Sequence, residues 1–197
     1  MRWLFLPILF TLFFSSLVFA EGSPIDTAEG VVVKVIDGGK INVNSEGMIL
    51  KIRLYGIDAP EKKKISLKTG EVNKAGQPFG EESWKALESK VYHQKVQLEI
   101  IDIDRYGRMV AIVWLRGREI NKEMVAEGWA WAYRKYIHDP YTSGYINAEE
   151  KARKEKRGLW QQHKPQPPWE FRQIQKLLMQ LHSSNSFKRF NNKVSQG

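Results

Sequence analysis

The chain has 197 residues, of which 42% are hydrophobic and 27% are charged, which fits one soluble globular domain with extensions. It contains no cysteine, so disulfides are excluded as a source of stability. Lys and Arg number 31 against 22 acidic residues, and the resulting net charge of +9 favours a polyanionic partner without excluding a protein that is merely basic.

The first twenty residues have the pattern of an export signal. Arg2 supplies a positive charge, Trp3 to Phe14 form an apolar run, and Ala20 is a small residue at the expected cleavage position. We expect residues 1–20 to be removed, which places the mature protein in a periplasm or outside the cell. An uncleaved membrane anchor is the alternative, because the apolar run is rather long.

Residues 21–27 are expected to form a linker, and residues 28–162 a single domain that begins with three strands. Hydrophobic side chains recur at every second position in three runs that are separated by glycine-containing turns. This spacing predicts a three-stranded meander over residues 31–35, 41–43 and 48–54.

The hydrophobic period then changes to that of a helix. Residues 79–92 place apolar side chains on one helical face and charged side chains outside it, which predicts an amphipathic helix. Two further strands are expected at 96–103 and 108–115, joined by a tight turn. Helices are predicted at 120–127 and 145–157.

This order of elements predicts a mainly β protein with helices, of the α+β class. Five short strands, one helix between the third and fourth, and helices after the fifth fit a five-stranded OB-fold barrel with an inserted helix and C-terminal helices. An ordinary α+β sandwich would give the same order, so the pattern alone leaves both architectures open.

Residues 163–197 are expected to form a basic extension. A proline cluster at 165–168 ends the preceding helix and starts a linker. Apolar residues at i, i+3, i+4 and i+7 from Ile174 to Leu181 predict a short helix that packs back on the domain. Residues 183–197 are expected to be solvated and partly disordered.

Two short stretches carry side chains that suit phosphodiester chemistry. Arg53, Asp58 and Glu61 follow one another in the first stretch, and Asp104 to Arg108 form the second. Carboxylate oxygens suit a hard metal ion, and the planar guanidinium of arginine suits phosphate oxygens. The combination predicts a site for a metal ion and a nucleic-acid phosphate.

Strict alternation along the third strand conflicts with a shared cleft for these residues. It places Asp58 in phase with Leu54 on the presumed core face, and Arg53 on the other face. Gly56 is expected to break the strand with a bulge or bend, so that Asp58 and Arg53 point into one cleft.

Five stretches in chain order carry a further signal: residues 36–38, 53–61, 76–82, 104–108 and 148–160. Together they resemble the staphylococcal-nuclease-like family, also called thermonucleases or micrococcal nucleases, over about residues 28–170. The resemblance implies an OB-fold endonuclease that uses calcium, cuts DNA and RNA, and leaves 3′-phosphate ends. It implies no small-molecule cofactor.

The resemblance also assigns catalytic roles. Arg53 and Arg108 match the two arginines that grip the scissile phosphate, and Glu61 matches the carboxylate that activates water. These roles agree with physical chemistry, because the attack on a phosphodiester adds negative charge that cationic donors stabilise and releases a proton that a carboxylate can accept.

For the metal, the resemblance implies Asp58 as a direct calcium ligand and the backbone carbonyl of Ala59 as a second donor. Asp37 is expected to reach the ion indirectly, through water. Gly39 stands where the family has a second metal-binding acid, so we expect weakened calcium binding. The ammonium group of Lys40 is a further candidate to replace part of the cation's charge, although strand alternation argues against it.

Nucleic-acid contacts are implied at four other positions. Arg105 and Tyr106 match residues that touch the nucleotide, and Tyr133 and Tyr136 match a pair of tyrosines that lines the groove. For Tyr133 and Tyr136, a role in the core or at its rim is the competing interpretation, because aromatic residues near a helix end more often pack than stack on bases.

Three functions remain open from the sequence. The first is an exported, monomeric nuclease that acts on DNA and RNA, with no stable membrane association once the signal is cleaved. The second is a nucleic-acid-binding module that Gly39 has left catalytically weak. The third is a cell-envelope interaction protein in which the barrel is only a scaffold.

Overall fold

The computed structural model describes residues 24–66 and 68–194, and it describes side chains as far as residue 181. The expected signal peptide and its cleavage after Ala20 lie outside the described residues. Within them, none of the helices combines the length and the hydrophobicity that crossing a bilayer requires.

The strands of the described residues form one large sheet and two small two-stranded sheets. They are β1 (Asp26–Asp37), β2 (Lys40–Ser45), β3 (Met48–Leu54), β4 (Ile57–Asp58), β5 (Lys64–Ile65), β6 (Val72–Lys74), β7 (Lys95–Ile103), β8 (Met109–Leu115), β9 (Arg118–Glu119) and β10 (Trp131–Ala132).

The helices follow the predicted order. They are α1 (Gly80–Val91), α2 (Ile120–Ala126), α3 (Thr142–Lys154) and α4 (Pro168–Val194), with 3₁₀ turns at Arg134–Tyr136 and Gly158–Gln161.

The large sheet closes on itself to form a barrel. Antiparallel pairing connects its strands in the order β3, β2, β1, β7, β8, and a parallel pairing of β3 with β8 completes the ring. This closure confirms the predicted five-stranded OB-fold, because a sandwich would keep two separate sheets.

Side chains from every barrel strand meet in one core. Val32, Val43, Ile52, Leu98 and Val113 are all fully buried there. Each contributes about 1.5–3 kcal/mol relative to an exposed position. The alternation seen in the sequence therefore reflects one inward face per strand.

The chain departs from the predictions at its C-terminal helix. α4 runs on through residues 183–194, where we expected partial disorder; no Pro or Gly lies between Pro168 and Val194 to interrupt the helix. Ile174 and Leu177 are 45% and 52% exposed. The helix contacts the domain through Trp169 and Arg172 instead of through the predicted apolar face.

Two small pairings were not predicted. β5 and β6 form a hairpin directly after Glu61, and β4 pairs with β10, which joins Asp58 to Trp131. Two-residue strands carry too short an alternation to be read from the sequence. The second pairing matters for function, because it fixes the loop that holds the acidic residues.

Candidate active site

Gly56 sets the direction of the chain as it leaves the barrel. Its φ of 70° separates β3 from β4, and a Cβ atom at this position would lie 3.1 Å from the ring of Tyr145. This break brings Arg53 and Asp58 into one cleft, with Arg53 Nη2 3.7 Å from Asp58 Oδ1. The structure therefore confirms the predicted break at Gly56, which lets Arg53 and Asp58 point into the same cleft.

Asp58 is a buried carboxylate with two arginine partners. It is 6% exposed, and Arg172 from α4 donates from Nη1 to Oδ1 at 3.1 Å and from Nη2 to Oδ2 at 2.6 Å. Burial raises the pKa of Asp58, and the charges of Arg172 and Arg53 oppose that shift. Such a planar two-bond contact is the strongest geometry available to an arginine and a carboxylate.

Glu61 lies beside Asp58 and shares its arginine. Arg172 Nη1 also donates to Glu61 Oε1 at 3.0 Å, and Lys74 donates to Oε2. The backbone N–H of Glu61 donates to Gln77 Oε1 at 3.0 Å, which fixes the loop. Burial alone would raise the pKa of Glu61, but the ion pairs with Lys74 and Arg172 lower it below its usual value.

The turn between β1 and β2 approaches the same acidic loop. Asp37 is buried and accepts a hydrogen bond from the N–H of Gly39 at 3.1 Å. A Cβ atom at Gly39 would lie 3.9 Å from Ala59 Cβ and 4.0 Å from Asp37 Oδ1, which is ordinary van der Waals distance. Position 39 therefore faces Ala59 and has room for a side chain.

Lys40 places a cation at this turn. Its Nζ contacts Asp37 Oδ2 at 2.6 Å, and its charge contributes to lowering the pKa of Glu61. The argument from strand alternation against Lys40 does not apply, because Gly39 lies in the turn and β2 begins at Lys40 itself. Lys40 also pairs with Arg53 across β2 and β3, so both residues start from the same face of the sheet.

The side chain of Arg108 is held by its own turn. Its Nε donates to Asp104 Oδ2 at 2.7 Å, and Asp104 Oδ1 accepts the backbone N–H of Tyr106 and of Arg108. Since Met109 pairs with Ile52, continuing the register sets Arg108 on the face of Arg53. Arg53 and Arg108 therefore lie on the same face of the sheet, but the side chain of Arg108 is paired with Asp104.

Aromatic rings extend the site along α4. Tyr133 contacts Tyr136 with ring centroids 4.7 Å apart, and it stacks on Trp169 at 5.0 Å with an interplanar angle of 2°. The guanidinium of Arg53 lies 6.0 Å from the centre of the Tyr133 ring. Burial and the nearby charge of Asp58 raise the pKa of Tyr133. Tyr133 is therefore a rim residue of the acidic cleft.

The remaining candidates lie on the surface. Tyr136 is half-exposed, and Tyr106 is 68% exposed with the Arg105 guanidinium 5.1 Å from its ring centre. Arg105 and Tyr106 belong to the turn before β8, while Tyr133 and Tyr136 belong to the segment after β10. The structure therefore places the four candidates in two separate groups.

Sequence reasoning missed four residues that complete the cleft. They share no local motif with the acids that they contact, because they come from β6, from the loop before α1 and from the C-terminal extension. Gly70, in the turn between β5 and β6, was the local signal for this hairpin. The missed residues are Lys74, Gln77, Trp169 and Arg172.

The donor atoms of the cleft suit a hard cation, but they are already paired. Asp58 and the Ala59 backbone provide oxygen, which Ca²⁺ prefers. Among the described residues, no three acidic, His or Cys side chains form a cluster with metal-binding geometry. Both oxygens of Asp58 accept from Arg172, so a cation and Arg172 would use the same atoms.

Comparisons with known proteins show which family this chain resembles. The family model described as "Staphylococcal nuclease homologue" matches residues 51–162. An uncharacterized endonuclease of Haemophilus influenzae is 38% identical over 149 residues, covering 75% of this chain and 75% of that relative. A micrococcal nuclease of Shigella flexneri is 33% identical over 156 residues, covering 75% of this chain and 82% of that protein. An uncharacterized endonuclease of Escherichia coli O157:H7 is 38% identical over 144 residues, covering 73% and 84%.

Proposed function

The chain belongs to the family of staphylococcal nuclease homologues, a family of nucleases that is generally metal-dependent, and from this premise we propose that it is an exported endonuclease acting on DNA and RNA. In this proposal the protein uses calcium and leaves 3′-phosphate ends. One observation carries it: Arg53, Asp58 and Glu61 lie in one cleft. Arg53 is 3.7 Å from Asp58, and the guanidinium of Arg172 contacts both Asp58 and Glu61.

The two arginines bind the phosphate in this proposal. Arg53 stands 3.7 Å from Asp58, next to the acidic loop, and Arg108 starts from the same face of the barrel. Attack by water adds negative charge to the phosphate, so guanidinium groups directed at its oxygens stabilise the transition state more than the ground state. Arg108 has to exchange Asp104 for the phosphate in order to do this.

Glu61 is the general base. It takes a proton from water, the water oxygen forms a bond to phosphorus, and the bond from phosphorus to the 5′ oxygen breaks. The 5′ oxygen leaves as a hydroxyl with a proton from solvent, and the phosphate stays on the 3′ oxygen. The ion pairs with Lys74 and Arg172 lower the pKa of Glu61, so Glu61 becomes a stronger base when these pairs loosen.

Asp58 and the Ala59 carbonyl are the residues that would hold calcium, with Asp37 acting through water. A bound divalent ion supplies Lewis acidity and lowers the pKa of nearby water. Position 39 is open beside Ala59 but carries no carboxylate, so we propose a weak site. Export rests on the apolar segment at residues 1–20, and the enzyme acts as a monomer.

Digestion of plasmid DNA and RNA by the purified protein tests the proposal. We expect cleavage with calcium, none with a chelator, and a loss of about 10²–10⁴ in rate for Glu61→Gln, as for removal of a general base. Glu71→Gln is the matched control, because Glu71 is an exposed acid of the adjacent hairpin. Products should accept a 3′ end label only after phosphatase treatment. Equal activity of Glu61→Gln and the wild type would refute the assignment.

A catalytically weakened nucleic-acid-binding module is the second candidate. Gly39 and the double pairing of Glu61 favour it, because both reduce what the acids can do. This candidate predicts binding without cleavage by the wild-type protein, and cleavage by Gly39→Asp. If the protein neither binds nor cuts nucleic acid, both candidates fail.

A further inference from the structure

The first turns of α4 lie on the groups that the proposed reaction needs. Arg172 makes two hydrogen bonds to Asp58 and one to Glu61, over a chain separation of more than 110 residues. Its side chain is 34% exposed, whereas both carboxylates are almost fully buried. Arg172 therefore reaches into the cleft from outside, as a ligand would.

Two further contacts fasten the same segment. Trp169 stacks on Tyr133 with nearly parallel rings and meets Trp131 edge to face at 5.6 Å. Gln77 Nε2 donates to the backbone carbonyl of Gln166 at 3.2 Å, and the same side chain holds the N–H of Glu61. We call residues 166–173 the latch segment.

The latch segment competes with the substrate and the cation because Arg172 contacts the carboxylate oxygens that both would use. Both oxygens of Asp58 are used by Arg172, and the oxygens of Glu61 are used by Arg172 and Lys74. Each carboxylate oxygen keeps a second lone pair, but the positive charge of Arg172 repels a cation that approaches the same oxygens, so Arg172 and the cation compete for Asp58. The indole of Trp169 covers one face of Tyr133 as well.

The remainder of α4 buries little apolar surface on the domain. The apolar residues of the helix beyond Arg172 are roughly half-exposed, among them Ile174, Leu177 and Met179. Pro165 and Pro167 precede the helix and form an extended link to the domain. The matched family region covers residues 51–162, so the latch segment lies outside it.

We propose that the latch segment closes the active site in the free protein, with Arg172 acting as an internal competitor of the cation, and that a nucleic-acid strand together with a divalent cation releases it. Phosphates compete with the carboxylates for Arg172, while the cation competes with Arg172 for Asp58. A phosphate alone would leave Asp58 without a cation, and a divalent cation alone would leave Arg172 without an anion, so both are needed to replace the Arg172–Asp58 pair. The inference rests on the proposed function for the identity of the substrate.

Calcium binding, measured by titration calorimetry, gives the first test. Arg172→Ala should bind calcium at least tenfold more tightly than the wild type, because Asp58 is then free of its competitor. Lys176→Ala is the matched control, since it removes one exposed positive charge from the same helix. Equal affinity for wild type and Arg172→Ala, or weaker binding by the variant, would overturn the proposal.

A distance measurement tests release without any cleavage. The chain has no cysteine, so spin labels can be attached to Lys135→Cys and Met179→Cys, both at exposed positions. We expect the distance to increase when calcium and a cleavage-resistant phosphorothioate oligonucleotide are added together, and to be increased already when Arg172→Ala is present. A distance that is unchanged in both cases overturns the latch.

Activity separates this inference from the nuclease proposal. Arg172→Ala should raise kcat/KM about tenfold, with Lys176→Ala at the wild-type value. A loss of cleavage in Arg172→Ala would mean that Arg172 assists catalysis, which contradicts the latch. If calcium affinity and the label distance change as expected while no variant cuts, the latch holds and the nuclease proposal fails.

Discussion

The substitution Gly39→Asp should convert a weak cation site into a stronger one. The backbone of Gly39 keeps its hydrogen bonds on substitution, because its N–H donates to Asp37 and its carbonyl accepts from Leu54 at 3.0 Å. The new Cβ would meet only Ala59 and Asp37, at 3.9 and 4.0 Å. The variant should therefore fold without steric cost.

Its electrostatic cost is bounded by taking the distance of 4.0 Å from the new Cβ to Asp37 Oδ1 as the separation of the charges. Two like charges about 4 Å apart repel by about 4 kcal/mol at an effective dielectric of 20. Lys40 already pairs with Asp37 at 2.6 Å, and the new carboxylate can turn toward solvent. We expect a net loss of about 1 kcal/mol in the free energy of unfolding without calcium, as for a typical point substitution.

With calcium the sign reverses, because an added carboxylate faces a divalent charge. A net gain of about 1.4–2.8 kcal/mol in binding corresponds to a ten- to hundredfold lower Kd. Calorimetric titration and thermal unfolding with calcium or chelator measure both effects. Gly39→Asn is the matched control, since it has the same shape without the charge. Equal calcium affinities for Gly39→Asp and Gly39→Asn would refute the placement of position 39 beside the cation.

Four other perturbations test separate parts of the structure. Asp104→Asn keeps the acceptor oxygen of the turn but removes the charge that competes with the phosphate for Arg108, so kcat/KM should rise about tenfold, whereas Asp102→Asn on the neighbouring strand should have no effect; equal values would remove Asp104 from the site. Asn121→Leu should cost about 3 kcal/mol in urea unfolding, because the buried amide serves the carbonyls of Tyr55 and Ala111 and the N–H of Val113, and a cost below about 1 kcal/mol would contradict this. Replacing the exposed Lys63, Lys64 and Lys68 with alanine should lower the salt dependence of single-strand binding by about 2 units in the slope of log K against log salt and leave kcat unchanged; an unchanged slope would remove the hairpin from the nucleic-acid interface. Arg172→Ala should lower the thermal stability in chelator by more than it does in calcium, because calcium can replace the lost partner of Asp58, and an equal loss in both would contradict that replacement.

The barrel was predictable because its signals are local. Alternating apolar residues in β1, β2 and β3 mark the inward face, and the change to a helical period marks α1. Gly56 was also informative, since a glycine within a strand pattern indicates a break, and the break brings Asp58 to Arg53. A period of two or of 3.6 residues is fixed by the backbone, so the sequence reveals it directly.

The partners of the acids were not predictable in the same way. Arg172 contacts Asp58 across 114 positions, and Lys74 contacts Glu61 across a hairpin that has no strong pattern. An arginine on an amphipathic helix normally lies in solvent, so nothing in its neighbourhood distinguished Arg172. The apolar face of α4 suggested packing, but the helix binds through its first turns instead. Long-range ion pairs depend on the assembled fold, and local spacing does not encode them.

The charges of the cleft link the absence of an acid at position 39 to the pairing of Arg172 with Asp58. Asp37, Asp58 and Glu61 are all buried, and a buried charge without a partner costs several kcal/mol. Each of them has a cation from the chain itself: Lys40 for Asp37, Arg172 for Asp58 and Lys74 for Glu61. A fourth acid at position 39 would add a negative charge beside Asp37, whose partner Lys40 it would have to share until a metal ion arrived. With glycine at this position, Lys40, Arg53, Lys74 and Arg172 satisfy the three acids without a metal ion, and this is the condition under which α4 can close the site.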